Sequence, residues 1–338
     1  MRASKLSVAI ALAVFGLGCL VVLAFAVGRF PVSPGDFAKV MWAWLSGGTS
    51  EVPATVQTVI LNVRGPRILA AIVVGAALAG AGAAYQSLFR NPLVSPDILG
   101  VSSGAALGAV LGIFFSLDVV FIQGLAFIGG LAAVATAYFI ASRMRGHDPI
   151  LVLVLAGVVI GALLGAGVAL IKYLADPYNQ LPAITYWLLG SLAAATRADF
   201  LSVLPAAVIG IAVLWLLRWR ISVLALGDDE AASVGVETGR IRVAVIAAAT
   251  LMTAAVVSIS GIIGWVGLLI PHFARLMVGP DFTRLFPVTA LLGAAFMLGV
   301  DTVARTAGRI ELPLGVLTAV IGTPLFLWLL ATARRSWQ

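Results

Sequence analysis

RGPRILAAIVVGAALAGAGAAYQSLFRNPLVSPDILGVSSGA, residues 64–105, decides the fold class. Within it, 66–89 is an apolar run with arginines only at its ends, Arg64 and Arg67 at one and Arg90 at the other. About 20 such residues are what a helix needs to cross a hydrocarbon core of about 30 Å. The run is continuous rather than alternating, so it reads as a helix and not as a barrel strand. It must stop at 90–96, RNPLVSP, where Pro92 and Pro96 remove backbone donors and bias their predecessors to extended geometry. A second apolar run, 98–116, starts directly afterwards. The segment is two membrane spans joined by a tight turn.

The rest of the chain extends this reading. Of 338 residues, 62% are apolar and 10% are charged, against about 45–50% and about 25% in soluble domains. That excludes an ordinary soluble enzyme, a disordered tail and a disulfide scaffold. Cys19 is the single cysteine and cannot form an intrachain disulfide. Further spans are predicted from Arg2 to Val27 and at 118–142, 149–171, 199–217, 241–260, 262–278, 286–307 and 313–333. The expected fold is an all-α polytopic membrane protein of about ten transmembrane helices, one membrane domain over 1–338. An even count puts both termini on one side. Lys and Arg then divide thirteen against eight in favour of cytoplasmic N- and C-termini. The net charge of +7 therefore belongs to cytoplasmic loops and lipid contact, not to nucleic acid.

The scarce polar features are informative. Gly104, Gly108 and Gly112, and again Gly157, Gly161 and Gly165, make small-residue stripes on which a second helix can pack closely. They either pack within the subunit or border a moving interface. Asp301 is the one credible intramembrane acid, with Arg305 four residues on and on the same helix face. Residues 176–198, with Tyr178, Tyr186 and Trp187, read as a short external or re-entrant helix. Residues 224–239 are the most polar inside stretch, with Asp228, Asp229, Glu230 and Glu237 framed by Gly227 and Gly235. They form either a solvated loop or short helical turns that dock a partner. Arg64, Arg67 and Arg305, with Arg309, fall at outer helix ends. They suit an acidic partner surface, or they snorkel to headgroups. No phosphate-binding GxxxxGK[ST], HExxH, GxSxG or clustered Cys/His is present, so no catalytic or metal residue is expected.

Residues 64–105 also resemble the permease family of ABC importers for iron–siderophore, haem and vitamin B12. The shared pattern is RxPR, a glycine-rich helix, Gln86, RNPL, a proline and LGxxxGA. The resemblance continues through YWLLGSL at 186–192, GDDEAASVGV at 227–236, GLLIPHFAR at 267–275 and ELPLGVLTAVIGTPLFLWLL at 311–330. It implies a multi-pass permease of the inner membrane with no ATPase site and no bound cofactor, ATP and Mg being used by a partner. The implied assembly is a homodimer with two ATP-binding subunits and a periplasmic binding protein. The implied cargo is an iron chelate, siderophore or haem, with cobalamin or a molybdate-type oxyanion as alternatives. Carried over residue by residue, the ATPase-coupling loop is Gly227, Asp228, Asp229, Glu230, Ala231, Ala232 and Gly235. Ala231 and Ala232 supply its apolar contact and the acids its rim. The binding protein docks on Arg64, Arg67, Arg305 and Arg309. The inner gate falls in the loop 147–151, HDPIL, at Ile150 and Leu151. The rival classes are an ion-coupled secondary transporter and a membrane enzyme or channel.

Overall fold

The computed structural model describes residues 2–28, 30–144 and 149–333. Among these there is no strand. The chain runs through α1 (Arg2–Ala26), α2 (Pro34–Ser46) and α3 (Ala54–Thr58), whose last turn widens into a π-helical turn, Val59–Arg64, leading into α4 (Gly65–Leu88). After a 3₁₀ turn at Pro96–Leu99 come α5 (Val101–Phe114), α6 (Val119–Arg143) and α7 (Pro149–Leu174). A short α8 (Gln180–Leu189) precedes α9 (Arg197–Leu216), α10 (Arg218–Leu224) and α11 (Asp228–Ser233). The chain closes with α12 (Thr238–Ser260), α13 (Val266–Val278), α14 (Phe282–Thr306) and α15 (Leu314–Ala333).

Among the described residues, seven segments are long and apolar enough to cross a membrane: α1, α3–α4 together, α6, α7, α9, α12 and α14. The other predicted spans fall on the shorter apolar helices α5, α13 and α15. The split between the predicted spans 241–260 and 262–278 is real. Gly261 takes φ 67° after α12, and the backbone stays non-helical to Trp265. The predicted short helix in 176–198 is α8. Arg29, Arg145, Arg334 and Arg335, which enter the charge count, lie outside the described residues.

The sequence reading missed α2 and the turns before Gly65. α2 begins with Ser33 accepting from the Asp36 backbone N–H and ends at Gly47 in the left-handed region, an N-cap and C-cap pair that delimits a short helix. It exposes Trp42 and Trp44.

The core is built around α4, which is sheathed by α9, α12, α13 and α14. Its glycines explain this. A Cβ on Gly75 would lie 2.1 Å from the Gly293 carbonyl oxygen, and one on Gly82 would lie 1.9 Å from the Gly267 carbonyl oxygen. In lipid, helices associate through such close van der Waals contact rather than through the hydrophobic effect. The first predicted stripe works the same way inside the chain: Gly104 and Gly108 of α5 meet the carbonyls of Gly129 and Leu125 of α6. The second is only half used. Gly157 seats on the Ile98 carbonyl, whereas Gly165 has nothing within 4 Å among the described residues. Gly104→Leu is expected to lower the melting temperature in detergent well beyond Gly165→Leu, because overpacking costs about 1–3 kcal/mol only where space is filled.

Candidate functional site

The polar loop is a folded device. α10 and α11 form a short helical pair, and each is tied back to a long helix or its edge. Ser222 Oγ of α10 donates to Asp281 Oδ1, 2.9 Å away, at the start of α14. Burial pushes the Asp281 carboxyl up. Hydrogen bonds from Thr283 and Ser222, with Arg284 beside it, outweigh that and hold it below its ordinary value. The carboxylate therefore stays ionised through neutral pH and loses its charge only below the ordinary aspartate range. From α11, Asp228 accepts from Arg242 of α12, with Nη2 at 2.6 Å from both carboxylate oxygens.

The ends of α11 are set by its glycines. A side chain on Gly227 would collide with Glu230, whose Oε2 lies 2.0 Å from the Cβ position. Gly235, at φ 78°, closes the helix: its N–H reaches the Ala232 carbonyl and the Val236 N–H reaches the Ala231 carbonyl. This 5→2 and 6→1 pairing is a Schellman end, which wants glycine at the left-handed position. The three acids of the first turn, Asp228, Asp229 and Glu230, complement the helix dipole.

What the loop offers outward differs from the expectation at Ala231. Ala231 is fully buried and belongs to the core, so it anchors the loop instead of contacting a partner. Asp228 is tied to Arg242. The outward face is Asp229, Glu230 and Ala232, with Leu226 (72% exposed) and Val234 (56%) as apolar points that sequence reasoning did not single out. Two exposed aliphatic side chains beside two acids make a small, mixed surface.

The arginines on the other side form no exposed rim at three of their four positions. Arg64, Arg67 and Arg305 are only 6%, 9% and 7% exposed. Charges leave water in this way only when paired, and each has internal partners. Arg67 donates through Nε to Asp301 Oδ1 at 2.9 Å and through Nη1 to Glu311 Oε1 at 3.1 Å, and its Nη2 lies 2.9 Å from each carboxylate. Arg64 and Arg305 satisfy the last carbonyls of α1, which have no intrahelical donors. Arg305 Nη2 donates to Ala24 O at 2.5 Å, and Arg64 donates to the carbonyls of Phe25 and Phe30. The expected Asp301–Arg305 pair is present but longer, at 3.7 Å. Arg309 is exposed.

Of the predicted gate, His147 and Asp148 lie outside the described residues. Ile150 is half-buried and lines a cavity of about 220 Å³ with Leu88, Phe89, Tyr138 and Arg242. Leu151 is 56% exposed and does not line it. The structure brings Ile150 close to the loop's tether, while Leu151 is turned to the surface.

Nearly the whole chain, residues 14–332, matches the FecCD transport family. The chain belongs to the FecCD family. Among relatives, the cobalamin import system permease of Halobacterium salinarum is 44% identical over 280 residues, 82% of this chain and 75% of that protein. The molybdate import system permease of Haemophilus influenzae is 38% identical over 316 residues, covering 92% and 93%. A solved inward-facing ABC transporter described as of metal-chelate type superposes with a TM-score of 0.86 at 36% identity, covering 96% of this chain and 98% of that one. The FecCD chain is thus an importer permease, a multi-pass protein of the inner membrane, and its relatives are permease subunits. Sequence reasoning about this FecCD member missed Arg242 and Glu311, the partners of its two polar clusters. It also missed the bridge from Arg275 Nη1 to Gln86 Oε1, 3.1 Å long, which joins α13 to the end of α4. Gln86 was visible only as part of a motif, and the partners of all three bridges lie far apart in sequence or across a helix boundary.

Proposed function

We propose that this chain is one half of a homodimeric permease, driven by two separate ATP-binding subunits and supplied by a periplasmic binding protein. The observation that carries this reading is the loop 224–239: an outward acidic and aliphatic face, fixed through Asp228–Arg242 and Ser222–Asp281 to the ends of α12 and α14. Movement of a partner seated on α11 is passed to α12 through an ion pair rather than absorbed by a slack loop. ATP and Mg belong to that partner, and this chain binds the cargo without chemistry. The termini are cytoplasmic, on the side of the loop. Ile150, next to the Arg242 cavity, is the gate residue closest to the moving parts. On the opposite side, docking of the binding protein falls to the exposed Arg309 and the surface over the buried arginine cluster.

The cargo is an iron chelate, a siderophore or haem, with cobalamin or a molybdate-type oxyanion as alternatives. Support comes from the likeness to a transporter of metal-chelate type. Reconstitution tests the class. Vesicles holding the permease, its ATPase and its binding protein are expected to accumulate cargo with ATP and not with an ion gradient alone. Uptake driven by the gradient without the ATPase would make the chain a secondary transporter. Titration of the purified binding protein with ferric siderophore, haem, cobalamin and molybdate is expected to give its tightest affinity with an iron chelate.

A further inference from the structure

A groove of about 640 Å³ runs between α6, α9 and α12 and is almost wholly apolar, lined among others by Leu131, Tyr138, Ile209, Val213, Val243 and Leu251. No charged residue lines it. Its position along the three helices is telling. The lining residues lie toward the C-terminal ends of α6 and α9 and the N-terminal end of α12, so the groove belongs to the half of the membrane on the loop side. From Val243 to Leu251, eight steps of about 1.5 Å make about 12 Å, close to the hydrocarbon depth of one leaflet at about 15 Å.

Arginines gather at the loop-side ends: Arg143 ends α6, Arg218 and Arg220 lie on α10 just after α9, and Arg240 and Arg242 are in the first turns of α12. The nearby acids are Glu237 before α12 and Asp228, Asp229 and Glu230 on α11, of which Glu237 pairs with Arg240 and Asp228 with Arg242. Arg240 is 83% exposed as a side chain and precedes Val243, Ala244 and Ala247 by three, four and seven residues, the spacing of one helix face. Its pair with Glu237, 2.7 Å and open to water, is of the weak, exchangeable kind. Tyr138 and Ile246 line both this groove and the smaller cavity that holds Arg242, so the two are neighbours. Arg242 is committed to Asp228 only through Nη2; its Nε–H is buried with no hydrogen-bond partner among the described residues.

We propose that the groove binds an anionic phospholipid, one acyl chain lying along α12 and the phosphate meeting Arg240 and Arg242 at the mouth. An apolar slot of leaflet depth fits an acyl chain. A basic mouth between spans selects a negative headgroup, each nearby arginine being worth roughly fivefold in affinity. The lipid would touch the same arginine that tethers the coupling loop.

The test is native mass spectrometry of the purified full chain from micelles doped with equal phosphatidylglycerol and phosphatidylcholine. The expected result is one lipid adduct per chain with phosphatidylglycerol in roughly 25-fold excess, about fivefold from each of two arginines. Arg240→Gln should retain an adduct and lower that preference about fivefold, leaving the share due to Arg242. Ala247→Trp, which fills the slot, should remove the adduct; Val243→Trp repeats the experiment should the first variant fail to give a monodisperse protein. Equal binding of both lipids by the wild-type chain would overturn the proposal. So would an adduct that survives the filled slot, or a filled slot that breaks a dimer instead of expelling lipid.

Discussion

Asp229→Lys combined with Glu230→Lys is expected to weaken co-purification of the ATP-binding subunits at least about tenfold and to abolish ATP-driven uptake, with the membrane domain's melting temperature almost unchanged. Both acids are exposed on α11, and surface substitutions of this kind usually shift stability by no more than about 0.5 kcal/mol. Their reversal places two cations where the proposed partner would meet two anions. Like-charge juxtaposition in an interface costs several kcal/mol, and tenfold corresponds to only about 1.4 kcal/mol. Asp228→Asn should behave differently. Its carboxylate accepts from Arg242 at 2.6 Å and is only 44% exposed, so its removal leaves the outward acids in place but loosens α11 from α12. The expected outcome is an ATPase that still binds and hydrolyses ATP while uptake falls. Docking and transmission are then separated by neighbouring residues of one short helix. Full uptake by the doubly reversed chain would show that the loop is not where the energy enters.

That separation was only partly legible in the sequence. Hydropathy placed the spans because a helix in lipid must be apolar over a fixed length, and that requirement acts on each segment alone. The helical ends of the loop were legible for a similar reason: Gly227 and Gly235 answer to local backbone geometry, and the left-handed φ at Gly235 is a local fact. Which alanine faces the core is not. Ala231 and Ala232 are adjacent and chemically identical, yet one is fully buried and the other exposed, because the rotation of α11 is a matter of tertiary packing that neither residue carries in its own chemistry. α2 escaped for another reason. It is 13 residues long, too short to span, and its caps resemble ordinary loop chemistry until the chain between them is seen to be helical. The arginine motif at 64–67 was conspicuous and its setting was not: the side chains that neutralise Arg67 come from positions 301 and 311, more than 230 residues away.

Arg67→Met should therefore be a stability mutation before it is a docking mutation. An exposed docking arginine, once removed, leaves the fold intact and weakens only the partner. A buried arginine leaves two carboxylates behind. Asp301 has no exposed side-chain surface, sits between Arg67 and Arg305, and would keep only the 3.7 Å contact to Arg305. Breaking a buried ion pair from one side costs about 3–5 kcal/mol, a large share of the roughly 5–15 kcal/mol that holds a typical fold. The melting temperature of Arg67→Met in detergent is expected to fall steeply, and that of Asp301→Asn by less, because asparagine keeps the shape and one carbonyl acceptor. Adding Asp301→Asn to Arg67→Met should recover part of the loss, since the orphaned charge is the main penalty; a double-mutant cycle reads that coupling directly. Arg309→Glu provides the contrast, as its exposed position predicts a normal melting temperature and, if the surface docks an acidic partner, weaker binding-protein affinity at low salt. If Arg67→Met instead melts like the wild-type chain and loses only binding-protein affinity, the buried cluster is not what holds α4, α14 and the segment before α15 together, and its arginines are available to the partner after all.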